Sequence, residues 1–372
     1  MLRGVSVLPD VRKIAVLRAN ALGDLIFALP ALHALRITYP DAELVLLGRP
    51  WHPELLQDRR EIVDRVVVVP PYAGLSEAAG YTNDPEVLDT FFSLMRDEHF
   101  DLAVQIHGGG ATSNPFVRSL GARTTVGMRT PDAPPLDRWL PYVYYQSEIV
   151  RYLEVVALVG ATTHDIEPHL PLLPDDIAAS LGVVPETAVP LAVLHPGASD
   201  GRRRWPVDTF AAVGDALATD GMRVVVTGTP WEAETVTAVI AAMHAPAVNL
   251  CGTLSLRGLA GMLSRAAMVV SNDTGPLHLA GAVGTPTVGI YWCLNVLNSG
   301  PLTRARHRPC LSFRLECPRC GANCMTTGCA HRDSFVADVT AEEVIEAARE
   351  LLQSPITTSA WSHRHAYALG PT

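Results

Sequence analysis

Short apolar runs bounded by glycine, proline and charged residues recur along this chain. They alternate with longer stretches whose apolar positions repeat with the period of a helix. In the first half, Lys13–Leu17, Glu43–Gly48, Arg65–Val69 and Asp101–Ile106 read as buried strands. Leu22–Tyr39, Asp84–Glu98, Asn114–Leu120 and Gln146–Val159 read as helices. The second half repeats the rhythm. Its strands are Leu191–His195, Arg223–Thr227, Ala247–Leu250, Met268–Ser271 and Thr287–Tyr291. Its helices are Val207–Thr219, Trp231–Met243, Leu256–Arg265, Pro276–Val283 and a last amphipathic one, Glu342–Leu352. Strand–helix alternation builds a parallel sheet with helices on both faces. The proline- and aspartate-rich stretch Pro168–Pro190 reads as the connection between the blocks. The pattern predicts an α/β protein with two doubly wound domains, residues 1–175 and 186–353, and a loosely ordered tail over 354–372. Two such blocks leave a cleft at the carboxyl ends of their strands, where ligands of open α/β sheets bind.

Composition narrows what that cleft can hold. The chain has 372 residues, 48% hydrophobic and 18% charged, enough for an ample core. Its net charge of −9 argues against a nucleic-acid surface, so an anionic ligand needs a local basic pocket. Lys13 is the sole lysine, and every other cation is arginine. No apolar run reaches the ~18 residues of a membrane-spanning helix. The N-terminus lacks a signal-peptide pattern, so a cytoplasmic protein is expected.

Three segments carry candidate chemistry. The most informative is Ser271-Asn272-Asp273-Thr274-Gly275-Pro276-Leu277-His278, where a strand breaks and a helix opens. Thr274 is placed to cap that helix and Pro276 suits its first turn. Free N–H groups at the positive end of the helix dipole suit a diphosphate, although a well-capped helix in any α/β protein looks the same. The second segment is His195-Pro196-Gly197 through Arg202-Arg203-Arg204-Trp205-Pro206. Its three arginines follow a strand end, where guanidinium forks can pair with phosphate oxygens; a solvated surface run is the alternative. The third is Leu22-Gly23-Asp24 at the start of the first helix. Asp24 can act as a general base at the cleft rim or simply complement the helix dipole.

Taken together, in order and spacing, these segments resemble glycosyltransferase family 9, best known for the ADP-heptose:lipopolysaccharide heptosyltransferases. The resemblance covers about Arg12 to Leu352. It implies a GT-B fold, two Rossmann-like domains facing across a cleft. It implies an inverting transfer of heptose from an ADP-linked donor to a hydroxyl of a glycan, glycolipid or small-molecule acceptor. Asp24 matches the family's base. Arg203 stands where the family usually has a lysine on the diphosphate, with Arg202 and Arg204 beside it. Asp273, Thr274 and Gly275 match the donor loop, and His278 one turn on faces the donor or packs structurally. Glu232 matches the acid on the nucleotide ribose, with Glu234 the competitor. Arginines and helix N–H groups stabilise the leaving diphosphate, so no divalent metal is expected in catalysis; no D-x-D motif follows a strand.

The acceptor is expected on the first domain, at the polar, glycine-rich loop carrying His107, Ser113 and Asn114. Thr130–Leu140 is a candidate flap. A membrane-held acceptor would bring peripheral membrane contact. Four cysteines cluster at Cys317, Cys320, Cys324 and Cys329, with His331 close by. They are candidate ligands of a structural zinc or an iron–sulfur cluster, or else plain reduced thiols. Two other function classes stay open: a nucleotide-sugar epimerase of the same fold, and an inactive sugar-nucleotide-binding module.

Overall fold

The computed structural model describes residues 6–353. The expected tail over 354–372 lies outside the described residues. In the first block the strands are β1 (Lys13–Leu17), β2 (Glu43–Gly48), β3 (Arg65–Val68), β4 (Leu102–Gln105), β5 (Thr124–Arg129) and β6 (Arg138–Pro141). Their helices are α1 (Leu22–Thr38), α2 (His52–Leu56), α3 (Pro85–Asp97), α4 (Ser113–Ser119) and α5 (Glu148–Ala157). A helix α6 (Pro174–Val183) follows, inside the segment read as a plain connection. The second block holds β7 (Leu191–His195), β8 (Arg223–Val226), β9 (Ala247–Asn249), β10 (Met268–Asn272), β11 (Thr287–Trp292) and β12 (His307–Ser312). Its helices are α7 (Val207–Thr219), α8 (Ala233–Ala242), α9 (Leu256–Arg265), α10 (Gly275–Ala282), α11 (Cys293–Ser299) and α12 (Ala341–Gln353).

Both sheets are six-stranded and parallel, in the orders β3-β2-β1-β4-β5-β6 and β12-β11-β10-β7-β8-β9. Each is the doubly wound order, so each reverses direction once, between β1 and β4 and between β7 and β10. Successive strand residues serve opposite faces. Ile14, Val16, Leu44 and Val104 pack under α1 and α5, while Ala15, Leu17, Val45 and Ala103 pack with Phe92 of α3 and Phe116 of α4. In the second sheet, Ala192, Leu194, Val224 and Val270 pack with α7, α8 and α12 around Trp205 and Phe210. The opposite face, with Val193, Val225 and Val269, joins the apolar cluster of the first block.

Helix α6 ties the blocks together. Its Asp176 is fully buried, held by Arg59 of the first block and by Arg257 Nε of α9 at 2.7 Å. The candidate flap ends in an ordered strand: Arg138–Pro141 extends the sheet edge on β5.

Candidate active site

The residues singled out by motif gather at the two reversal points. Asp24 follows β1 and His107 follows β4; the arginine loop follows β7 and Asp273 follows β10. The two carboxyl ends meet directly. A Cβ added at Gly23 would sit 3.0 Å from His278 Cδ2, and one at Gly275 would sit 2.9 Å from Leu22 Cβ. Phe27 and His278 place their ring centroids 4.5 Å apart. Glycine at 23 and 275 is what allows the starts of α1 and α10 to touch.

Asp24 serves its own helix and the cleft together. Its Oδ2 accepts from Ala21 N–H at 2.9 Å, which closes the first turn of α1. Its Oδ1 accepts from Arg18 Nη2 at 2.6 Å. The buried Arg18 also donates to Ile106 O at 2.9 Å and to Glu148 Oε2 at 2.8 Å, and lies over the Tyr152 ring. Glu148 in turn accepts from the Tyr152 hydroxyl. Burial pushes the Asp24 carboxyl above its ordinary value; Arg18 pulls it back and Glu148 pushes it up again. The side chain stays 27% exposed, enough for a substrate hydroxyl to reach it. Arg18, Glu148 and Tyr152 join the site without belonging to any of the three motifs. The one available signal was Arg18 at the end of β1; Glu148 lies 130 positions away from it.

On the donor side, Asn272 joins the two motifs. Its Oδ1 accepts from Trp205 N–H at 3.0 Å and its Nδ2 donates to Pro196 O at 2.7 Å. The three arginines differ. Arg202 donates to Asp200 through the Nε–Nη2 edge of its guanidinium, and Arg204 is exposed, with Nε bonded to Ala198 O at 2.8 Å. Arg203 is the one aimed at the 273–275 turn: Nη1 donates to Asp273 O at 2.9 Å and Nη2 to Ser199 Oγ at 2.9 Å.

Asp273 is buried and fully engaged. It accepts from His278 Nε2, Ser299 Oγ and Asn295 Nδ2, each at 3.0 Å. Burial pushes its carboxyl up, but His278, Arg203 and Asn295 outweigh that and hold it below the ordinary value. Its carboxylate orients the turn, with His278 packed structurally against it. Thr274 occupies the N-cap position of α10, but its hydroxyl makes no capping bond, so the expected cap is absent. Glu232 bonds Thr229 N–H at 2.8 Å and lies against Gly197, where an added Cβ would fall 2.0 Å from Glu232 Oε1. Glu234 is exposed on α8, and Glu232 is the one that lies against the loop after β7.

The three residues expected to meet the acceptor are all buried. His107 is buried, its Nδ1 accepting from Ala19 N–H at 3.3 Å, and burial beside Arg18 lowers its pKa to about 3. Ser113 donates to His107 O at 2.7 Å, and Asn114 donates to Met128 O at 3.1 Å and Pro134 O at 2.8 Å. Ser113 is therefore a buried brace of the loop backbone, because glycine-rich turns leave carbonyls that need partners, and Asn114 ties the end of the loop to β5 and to Pro134.

The cysteine cluster is also corrected. The donor atoms of Cys317, Cys320, Cys329 and His331 lie within 4.8 Å of one another, and Cys324 is outside the set. Cys324 packs against the second block's core. Cys317 Sγ is 3.7 Å from His331 Nδ1. A tetrahedral metal with ~2.3 Å sulfur bonds has edges of about 3.8 Å, so the three thiols and the imidazole fit such an ion.

Among the described residues no helix is long and apolar enough to cross a membrane. Residues 90–326 match the family model "Glycosyltransferase family 9 (heptosyltransferase)". The lipopolysaccharide core heptosyltransferase OpsX of Haemophilus influenzae is 29% identical over 111 residues, which are 29% of this chain and 32% of that protein. The chain thus spans about a third of that relative's length in the match. The structure of Escherichia coli ADP-heptose LPS heptosyltransferase II aligns with 91% of this chain and 98% of its own, at a TM-score of 0.70 and 19% identity. The iron-containing dodecameric glycosyltransferase TibC of enterotoxigenic E. coli aligns with 93% of this chain and 77% of its own, at 0.53 and 14%. These likenesses establish the GT-B architecture of two facing sheets, and the family model covers well over half the sequence. The chain belongs to glycosyltransferase family 9.

Proposed function

We propose that this chain transfers heptose, with inversion, from an ADP-linked donor to a hydroxyl of a lipopolysaccharide-type acceptor. The observation that carries it is the meeting of α1 and α10, which puts the Asp24 carboxylate opposite the Arg203-braced turn at 273–275. The acceptor hydroxyl loses its proton to Asp24. Its oxygen attacks the anomeric carbon from one face, and the ADP oxygen leaves from the other. Arg203 and the N–H groups at the start of α10 take up the leaving charge, in a site whose dipoles are already oriented. Glu232 accepts from the ribose hydroxyls beside Gly197. Catalysis in this reading uses no divalent ion at the diphosphate. Cys317, Cys320, Cys329 and His331 hold a structural zinc or iron, supported by the donor spacing and by the name of the iron-containing TibC. Such an ion supplies cross-linking of a polar segment and no chemistry.

The test is product mass after incubation with ADP- and GDP-sugars, with and without a core-oligosaccharide acceptor. Sugar transfer from ADP-heptose supports the reading. Conversion of the donor sugar without any acceptor would favour an epimerase.

A further inference from the structure

The segment between β12 and Ser334 has little that would order it alone. It is mostly exposed and polar, and its regular structure among the described residues is a single bridge, Glu316↔Asn323. Short-range backbone bonds shape its turns: Cys317 N–H to Ala322 O, Gly321 N–H to Cys317 O and Cys324 N–H to Leu315 O, each 2.9 Å, and Thr326 and Thr327 N–H to Asn323 O at 3.2 and 2.8 Å. A polar segment of this kind gains its order from the cross-link, because ordering costs roughly 1–2 kcal/mol per residue.

The chain leaving this knot packs on the back of the donor loop. His331 is a knot residue, and the carbonyl of the next residue, Arg332, lies 3.0 Å from where a Cβ on Gly201 would sit. Three residues further, Phe335 N–H donates to Arg202 O at 2.8 Å. Phe335 is itself anchored, fully buried with its ring 4.9 Å from Trp292. The peptide it holds is the one that joins Arg202 to Arg203.

We propose that the Cys317–Cys320–Cys329–His331 knot is a metal-held clamp on the loop Asp200–Arg204, so that metal occupancy and nucleoside-diphosphate binding are thermodynamically coupled. The proposal rests on the reading of that loop as the diphosphate site. Coupling between two sites is reciprocal. Metal should tighten the diphosphate by the same factor by which the diphosphate tightens the metal.

The probe is ADP. Its dissociation constant is measured by calorimetry on zinc- or iron-loaded and on metal-stripped protein. Metal affinity is then measured by chelator competition at equilibrium, with and without saturating ADP. The expected result is ADP binding ~10-fold weaker after stripping, with metal binding tightened by the same factor in ADP, within the usual range of such couplings. His331→Ala should lose metal and weaken ADP together, while Cys324→Ser should change neither. If stripping unfolds the chain, Gly201→Val probes the same contact with all four ligands intact, and metal retention with weakened ADP is expected. Equal ADP affinity with and without metal, or in Gly201→Val, would overturn the clamp. So would protein that takes up no zinc or iron when offered either. Loaded wild type that binds no ADP would overturn the donor reading itself, and the clamp with it.

Discussion

Arg18 and Asp24 are bonded at 2.6 Å, and the same guanidinium nitrogen also holds Glu148 at 2.8 Å. One buried cation is thus shared by two carboxylates. Burial raises the Asp24 carboxyl, Arg18 lowers it and Glu148 raises it again. The balance of the three sets where it titrates.

Glu148→Gln tests that arrangement. Glu148 is among the groups that raise the Asp24 carboxyl, so removing its charge should lower the Asp24 pKa. The acid limb of the pH profile of kcat/KM should move to lower pH, because the free enzyme's base then ionises earlier. The limb in wild type should lie above the ordinary carboxylate value of 3.8. An unmoved limb in the variant would show that another group titrates.

The arginines should separate by calorimetry. Arg203→Ala should weaken ADP by about 1.5–3 kcal/mol, the range for hydrogen bonds to charged groups. Arg202→Ala should cost less, because Asp200 already takes most of that charge. Equal effects would place the phosphates elsewhere on the loop.

Gly197→Ala should damage binding and spare the fold. The new Cβ would meet the end of the flexible Glu232 side chain, which can swing away at little structural cost. The carboxylate then leaves its place at the ribose. ADP affinity should fall severalfold, with a thermal midpoint within a few degrees of wild type. Undiminished affinity would remove Glu232 from the donor site.

Much of this molecule was legible in its sequence, for a physical reason. Interior parallel strands are buried on both faces, so β1, β2, β4, β7 and β10 appear as unbroken apolar runs. The strands that escaped are β5 and the sheet edges β6 and β12. Arg138–Pro141 alternates half-buried and exposed residues, and His307–Ser312 carries a proline, as edge strands can. The short helices α2 and α11 give too few turns for a period. Local motifs placed Asp24, Arg203 and Asp273 at strand ends, but pairings across the chain stayed invisible. Neither Arg18 with Glu148 nor Asp273 with Asn295 and Ser299 has a local signature. Likewise, cysteine spacing alone could not tell Cys324 from His331, since the fold of the segment between them sets which donor atoms meet.

Asp273 should make stability acid-sensitive. Its folded pKa lies below the ordinary 3.8, so its contribution is complete above that value and is lost as pH falls through the folded value. Asp273→Asn should cost about 3–5 kcal/mol near neutrality, since His278 and Arg203 lose a buried partner. The difference from wild type should shrink as pH drops below 3.8, read from denaturant midpoints across pH. A gap independent of pH would mean that Asp273 is not ionised in the folded protein.

The most direct test of the transfer mechanism is Asp24→Asn, with ADP affinity and turnover measured on the same preparation. Asparagine keeps the size and can still accept from Arg18, so the donor side should be untouched. ADP should bind as in wild type while turnover from ADP-heptose falls by ~10²–10⁴, the usual worth of a positioned base. Near-normal turnover in that variant would contradict Asp24 as the base.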